Sequence, residues 1–399
     1  MKNYLLFIIV LAVSQVSISQ ETITFPNQST VITTGIPFTL IAPDSRSAGM
    51  GDMGVATSVD GFSQQWNPAK YAFSEAKSGL GLSFTPYLTR LVNDISISYA
   101  TYFNRLNEFS AISGSIKYFS LGDIVLTQDA NDPGISVRPN EYAVDFAYSL
   151  KLTDQFSMAV GLRYFRSALR IGEVDPNANP ASSFGADITG YYQSEEEAYN
   201  DFNGRWRAGF AIQNLGPKFT YDDGGEDVFQ PTNLRLGGGF DFIFDQNSTL
   251  GITAEVSKYL VPTPPLLGFV DTDGDGEQGQ DEPTIITEGE DNDVGFLTGV
   301  FQSFGDAPGG FSEELKEFTW ALGAEYLYQE SFALRAGYFN ESDEKGARKF
   351  FTLGAGFKYT TINIDLSYLF SASRVQSPLE NTLRFSLTFN FGDGTYQEY

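Results

Sequence analysis

The sequence predicts an all-β protein, a transmembrane outer-membrane β-barrel of about fourteen antiparallel strands. Three observations lead to it: long stretches of apolar alternation, an export signal with no membrane-spanning helix after it, and connections that are short and long by turns.

The alternation is plainest in residues 141–152. Tyr142, Val144, Phe146, Tyr148, Leu150 and Leu152 fall on one side of an extended chain, and Ala143, Asp145, Ala147, Ser149 and Lys151 on the other, because side chains alternate with period two. The pattern returns at Phe156, Met158, Val160, Leu162 and Tyr164, and in 351–359, 362–370 and 383–391. A soluble sandwich also alternates, but its strands run nearer about five or six residues and its apolar face is less aromatic. Strands of roughly ten residues, aromatic on one side and small or charged on the other, suit a wall between lipid and lumen.

Lys2, the apolar run 5–13 and the small residues Ser17-Ile18-Ser19 read as a signal peptide over 1–19. The run is too short to span a bilayer as a helix. A secreted chain with no spanning helix crosses lipid as a closed barrel, whose strands satisfy each other's backbone groups. That places it in the outer membrane of a Gram-negative cell.

Composition removes several function classes. The chain of 399 residues has no Cys and no His, and its 25 basic against 50 acidic residues leave a charge of −25. Nucleic acid is therefore an unsuitable partner. Without Cys there are no disulfides or thiolates, and without His there is no Ser-His-Asp triad or His-bound zinc. A Gly-x-Ser-x-Gly elbow is also absent from the sequence. A non-enzymatic role is expected.

Candidate strands fall at 79–87, 93–103, 108–119, 141–152, 155–167, 203–214, 218–223, 234–244, 248–259, 317–329, 331–341, 350–359, 361–371 and 381–391. With the first running outward, the connections after even-numbered strands are short: 104–107, 153–154, 215–217, 245–247, 330 and 360. The long or acidic ones, 120–140, 168–202, 224–233, 260–316, 342–349 and 372–380, follow odd-numbered strands. Short periplasmic turns and long outer loops are the asymmetry of bacterial barrels. The element 218–223 is the shortest, and the parity depends on it. Facing the lumen would be Arg163, Arg205, Arg207, Arg235, Arg335 and Arg384, with Asp145, Asp241, Glu255, Glu325 and Asp365. These fit either an interior salt-bridge lattice or a polar conduit.

Residues 36–77 are rich in Gly, Ala and Ser and precede the first strand. Small residues let backbone pass through confined space, and the apolar groups in 37–41 and 66–73 favour a segment inside the lumen over a solvated periplasmic lead. The stretch Arg46-Ser47-Ala48-Gly49-Met50-Gly51, followed by Asn67-Pro68-Ala69, closely resembles the N-terminal segment of the PorV (LptO) family, an outer-membrane component of the Bacteroidetes type IX secretion system. The turn Ile212-Gln213-Asn214-Leu215-Gly216-Pro217, placed by counting at an inner position, belongs to the same resemblance. The family implies a FadL-like barrel whose N-terminal segment enters the lumen. It also implies partners: an SprA-type translocon barrel, cargo with C-terminal sorting domains, a PorU-type sortase attachment complex and outer-membrane lipids. The wider fold implies an alternative, transport of hydrophobic molecules. The domain reading is a signal peptide over 1–19, an N-terminal lead and plug-like segment over 20–77, a barrel with long extracellular loops over 78–391, and a periplasmic tail over 392–399.

The outer connection 260–316 carries two further signals. Asp271, Asp273, Asp275, Glu277 and Glu282 have the ligand spacing of a twelve-residue calcium loop, with Gly276 at the sharp turn. The expectation is weak calcium binding, with a Kd of order 10⁻⁴ to 10⁻³ M; a disordered acidic loop is the other reading. Beyond it, Phe296, Val300 and Phe304, with Leu297 and Phe301, sit at helical spacing. They either pack on the barrel's own mouth or form an apolar docking patch for another protein.

Overall fold

The computed structural model describes residues 21–88, 92, 94–127, 132–169, 179–221, 224–373, 380 and 382–393. The expected signal peptide and residues 394–399 of the expected tail lie outside them. Fourteen antiparallel strands close into one barrel. They are β1 (Ala76–Pro86), β2 (Ile95–Arg105), β3 (Ser110–Leu121), β4 (Asn140–Lys151), β5 (Phe156–Ala168), β6 (Ala181–Gln193) and β7 (Asn203–Leu215). The second half comprises β8 (Asn233–Asp245), β9 (Ser248–Tyr259), β10 (Thr319–Tyr328), β11 (Phe332–Asn340), β12 (Lys349–Tyr359), β13 (Ile362–Ser371) and β14 (Leu383–Asp393). Closure is made by β14 on β1, in register from Ala76↔Asp393 to Phe84↔Phe385.

The wall shows why these residues form strands. On β4, Phe146 is 55% exposed while its neighbour Ala147 is 1% exposed. Val144, Tyr148 and Leu150 share the outward face, and Asp145 and Ser149 the inward one. Such a wall solves two problems at once: apolar side chains meet lipid, and every backbone group pairs with a neighbouring strand.

The count of fourteen holds, but one strand differs from expectation. The element expected at 218–223 is not part of the wall; Phe219 makes a single bridge to Val228 and packs its ring on Phe165 at 5.0 Å. The missing wall strand is β6, inside the stretch expected to be an outer loop, and it pairs with both β5 and β7. Its outward face sets Ala186 and Gly190 among Phe184, Ile188 and Tyr192, while Tyr191 is buried on the inner face, so the alternation in hydropathy is interrupted; the ring of Phe210 covers Gly190, leaving no room for a β-carbon there. Two consequences follow. The connection 194–202 lies at the short-turn end, and Leu215-Gly216-Pro217 opens a long loop at the other end instead of forming an inner turn.

Residues 36–74 fill the lumen. Four short helices, Pro37–Leu40, Ser45–Ala48, Ser63–Trp66 and Pro68–Phe73, leave Phe38, Trp66, Lys70 and Tyr71 fully buried. Wall glycines make the approach close enough for backbone to touch backbone. A β-carbon at Gly337 would stand 2.2 Å from the Met50 carbonyl carbon, and one at Gly209 2.2 Å from the Val55 oxygen. The segment enters at the long-loop end and leaves at the short-turn end, where β1 begins. Beyond the plug on the short-turn side lies a charged cavity of about 1620 Å³, reached by Arg46, Asp60, Arg105 and Asp365. On the long-loop side a cavity of about 400 Å³ is lined by Phe38, Ile41, Tyr87 and Phe119.

Two substitutions check this arrangement. Phe146→Arg places a charge in lipid and is expected to cost about 2–4 kcal/mol near mid-wall. Gly337→Val overpacks the plug and is expected to cost about 1–3 kcal/mol, with new protease sensitivity within 36–74. Urea titration in detergent reads the first; unchanged stability of Phe146→Arg would contradict the outward assignment. Limited proteolysis reads the second.

Candidate functional site

The family-like residues converge on the plug. Asp44 caps the helix Ser45–Ala48 by accepting the Ser47 N–H, and it also accepts Trp66 Nε1 at 2.9 Å. That fixes Arg46, which reaches across the lumen to the β10 carboxylate. Its Nε and Nη2 donate to Glu325 at 2.9 and 2.7 Å, and its Nη1 donates to Asp60 at 2.8 Å. Gly51 adopts φ +84 against the Tyr338 backbone and donates its N–H to Thr352 at 2.9 Å. Gly49 lies against Gly354. Asn67 donates through Nδ2 to Val55 and Gly190 carbonyls, both at 2.9 Å, while Oδ1 accepts the Ala69 N–H. Pro68 opens the turn Pro68–Phe73, where its missing N–H costs nothing. The Ala69 carbonyl accepts the Ser157 hydroxyl from the wall at 2.7 Å. These residues tie a plug to its wall; none presents a reactive group to solvent.

The luminal charges join the same lattice. Arg335 bridges Glu325 and Asp365 at 2.6 Å each, Arg207 pairs with Asp241 at 2.7 Å, and Arg235 with Glu255 at 2.8 Å. Arg163 pairs with Asp145, and with Asp187 at 3.2 Å. Arg384 pairs with Asp52 of the plug at 3.0 Å, and Arg205 with Glu196 at 3.6 Å near the short-turn rim. Glu255 also accepts the Gly54 and Val55 N–H groups at 2.9 Å. Wall side chains thereby replace the water that the plug backbone has lost. Sequence reasoning missed Asp60, Lys70 and Asp187. Asp187 sits on the unrecognised β6, while Asp60 and Lys70 lie in a segment without periodicity, so pattern could not point to them.

At the long-loop end, the carboxylates of Asp271, Asp273 and Asp275 come within 4.8 Å of one another. Gly276 takes φ +78 at the turn, as tight loop closure demands. Glu277 stays outside this trio. Glu282 is turned to the backbone: Oε1 accepts the Thr272 N–H at 2.5 Å and Oε2 accepts the Gly279 N–H at 2.9 Å. Those amide donors hold its carboxylate below the usual range. Three of the five expected ligands are therefore gathered, and Glu282 closes the loop.

The expected docking residues occupy the helix Phe296–Gln302 and the turn after it. The helix seats Gly299 on Phe229 and Pro262. Phe296 and Val300 are half-buried, whereas Leu297, Phe301 and Phe304 are exposed, Phe301 to 77%. A second helix, Phe311–Lys316, adds Phe311 and Leu315 to the exposed apolar residues. Its base is ionic and buried: Lys258 pairs with Glu317, and with Glu314 at 3.1 Å, while Thr263 donates its hydroxyl to Glu317 at 2.6 Å.

A closed barrel with an aromatic lipid face, a bonded luminal plug and one very large outer loop defines an outer-membrane β-barrel protein. The family "Type IX secretion system protein PorV" matches residues 25–266. The chain belongs to the PorV family, and so to type IX secretion. The match covers the plug and the first nine strands and ends before the acidic loop and the two outer helices, which rest on their own geometry. Among curated proteins none matches this chain. Solved structures similar in fold include the toluene transporter TodX of Pseudomonas putida, at 11% identity, covering 90% of this chain and 98% of that one, with TM-score 0.46. Another is the toluene transporter TbuX of Ralstonia pickettii, at 11% identity, 89% and 100% coverage and TM-score 0.46. A Pseudomonas aeruginosa FadL homologue aligns at 13% identity, 92% and 100% coverage and TM-score 0.46.

Arg46→Ala is expected to break the buried pair with Glu325 and strip half-buried Asp60 of its ion-pair partner, at a cost of about 3–5 kcal/mol. The check is urea titration together with protease access to 36–74; a change under about 1 kcal/mol would mean the clamp is dispensable.

Proposed function

We propose that this chain is a non-enzymatic type IX secretion subunit. It associates with an SprA-type translocon barrel, takes cargo by its C-terminal sorting domain, and passes it to a PorU-type attachment complex. The observation that carries the reading is the plug: bonded to the wall through Arg46, Asn67, Gly51 and Glu255, it stands between the two luminal cavities. Cargo thus has to be handled outside this barrel, on its loops. The competing reading, a carrier of hydrophobic molecules, draws on the cavity lined in part by Phe38 and Phe119, but that cavity also meets Glu141, Arg235 and Lys258, and the reading needs a path that this plug obstructs.

Leu297, Phe301 and Phe304 are the proposed docking residues, since exposed aromatics are the usual anchors of an interface. Replacing all three by Ser is expected to leave barrel stability unchanged and to reduce recovery of the translocon or cargo from native membranes. The loss is expected to reach about 2 kcal/mol for each true anchor. Phe296→Ser and Val300→Ser should instead loosen the loop, because those side chains are half-buried. Full recovery and normal secretion in the triple variant would remove the docking role of this helix. Purification with lipid alone would favour the carrier.

We further propose that Asp271, Asp273 and Asp275 take a calcium ion. Support comes from their hard oxygen donors, gathered on a loop turned by Gly276. Calorimetry is expected to show saturable uptake with a Kd of order 10⁻⁴ to 10⁻³ M, lost in Asp271→Asn with Asp273→Asn. An identical titration in that double variant would dismiss the ion.

A further inference from the structure

Residues 21–35, which precede the plug, do not hang from the short-turn end. They run over the long-loop end and bind three separate loops there. Glu21–Thr24 pairs antiparallel with Leu266–Asp271, in register from Glu21↔Asp271 to Thr24↔Gly268. With Ile285–Glu288 on the far side, this makes a three-stranded sheet. The pairing continues as Phe25 donates its N–H to the Leu267 carbonyl at 2.9 Å. The Gln28 carboxamide then completes a reciprocal pair: Nε2 donates to the Leu267 carbonyl and Oε1 accepts the Leu267 N–H, each at 2.8 Å. Gly268 has no room for a side chain, since a β-carbon would stand 2.0 Å from the Ile23 oxygen.

The next residues reach the base of the outer helices. The Thr30 hydroxyl donates to Glu313 at 2.5 Å, and Lys345 donates to the Thr30 carbonyl at 3.0 Å while pairing with Glu317 at 3.1 Å. Gly35 donates its N–H to the Phe229 carbonyl at 2.9 Å, and Ile36 donates to the Tyr221 hydroxyl at 3.1 Å, just as the chain turns into the lumen. One segment therefore ties loops 216–232, 260–318 and 341–348 together.

We propose that residues 21–35 are a surface strap, with Gln28 and Thr30 as positioning residues that set the large outer loop and hence the helices carrying Phe301 and Phe311. The effect on partner capture rests on the docking role proposed above; the placement of the strap does not. Without the strap, Leu266–Asp271 would be a short edge strand paired only through Leu266, Leu267 and Gly268, so the loop's order depends on the strap staying in place.

The natural absence of cysteine makes the test clean in full-length protein. Thr22→Cys is expected to react with a membrane-impermeant maleimide on intact cells, as Glu290→Cys in the outer loop should. Reaction only after lysis, like Thr360→Cys at a short turn, would overturn the surface placement. Gln28→Ala with Thr30→Val is expected to speed amide exchange in Leu266–Asp271 and Phe311–Lys316 by tenfold or more, with β4 and β5 unchanged. Thr22→Cys with Val270→Cys, a directly facing pair, should restore protection in that background when oxidised and lose it on reduction. Unchanged exchange in the Gln28, Thr30 variant would overturn the strap. Faster exchange with undiminished translocon recovery would leave the strap standing and defeat the docking role.

Discussion

The structure depends on one constraint: the luminal segment has to surrender water from its backbone, and what it cannot pair within itself the wall has to satisfy. Residues 36–74 contain only short helical turns, so local pairing, such as Gly49 to Ser45 and Asn67 to Ser63, leaves part of their N–H and C=O groups to find other partners. A buried backbone group without a partner costs roughly as much as a lost hydrogen bond. The wall answers with side chains of fixed reach. Glu255 takes two successive amides, Thr352 takes the Gly51 amide, and Lys117 donates to the Thr39 and Ile41 carbonyls. Ser83 and Thr85 both donate to the Pro43 carbonyl. Where no side chain intervenes, glycine lets wall and plug meet directly, as at Gly337 and Gly209. A salt-bridge lattice in a water-filled pore would need none of this. The luminal charges are thus bonded into the contact between plug and wall, with the Arg46–Glu325–Arg335–Asp365 chain linking the two where they border the short-turn cavity.

That constraint also explains what was legible in the sequence. Lipid enforces alternation on a strand's outer face, so β4, β5 and β12 to β14 could be read directly from hydropathy. Where small residues interrupt the lipid face, the signal weakens: β6 sets Ala186 and Gly190 among Phe184, Ile188 and Tyr192, with a neighbouring ring covering Gly190, and buries Tyr191 on the inner face. The false strand at 218–223 failed for the opposite reason. Phe219 and Tyr221 alternate as a strand would, yet Phe219 joins the buried cluster around Phe165 and Phe38 under the loop. The two errors cancelled in the strand count while reversing the end to which Leu215-Gly216-Pro217 was assigned. The plug motif was visible only as a resemblance. Its bonds join residues hundreds of positions apart, such as Arg46 with Glu325, and no local period encodes them.

The outer loop follows the same logic with weaker means. Lacking a barrel around it, loop 260–318 is held by a buried ionic base of Lys258, Glu314, Glu317 and Lys345, and by the segment 21–30. Breaking such a buried pair costs more than the pair is worth as a whole, because one charge is left stranded. The base is therefore better suited to fixing position than to adding stability. Above it, the loop exposes Phe301 and Phe311, each to 77%, surface that a protein acting alone would gain by burying.

Placing rigidity below and exposed apolar groups above separates two tasks. A plug bonded to the wall keeps the lumen occupied whatever the loops engage. A passage through the lumen would have to break the plug's bonds to Glu255, Glu325 and Gly190 and then restore them, leaving the Glu255 and Glu325 carboxylates short of partners in between. Engagement from outside disturbs none of those contacts. Within a family assigned to secretion, that asymmetry favours a barrel that serves as an anchored platform, with the work of recognition carried by the loops it holds in place.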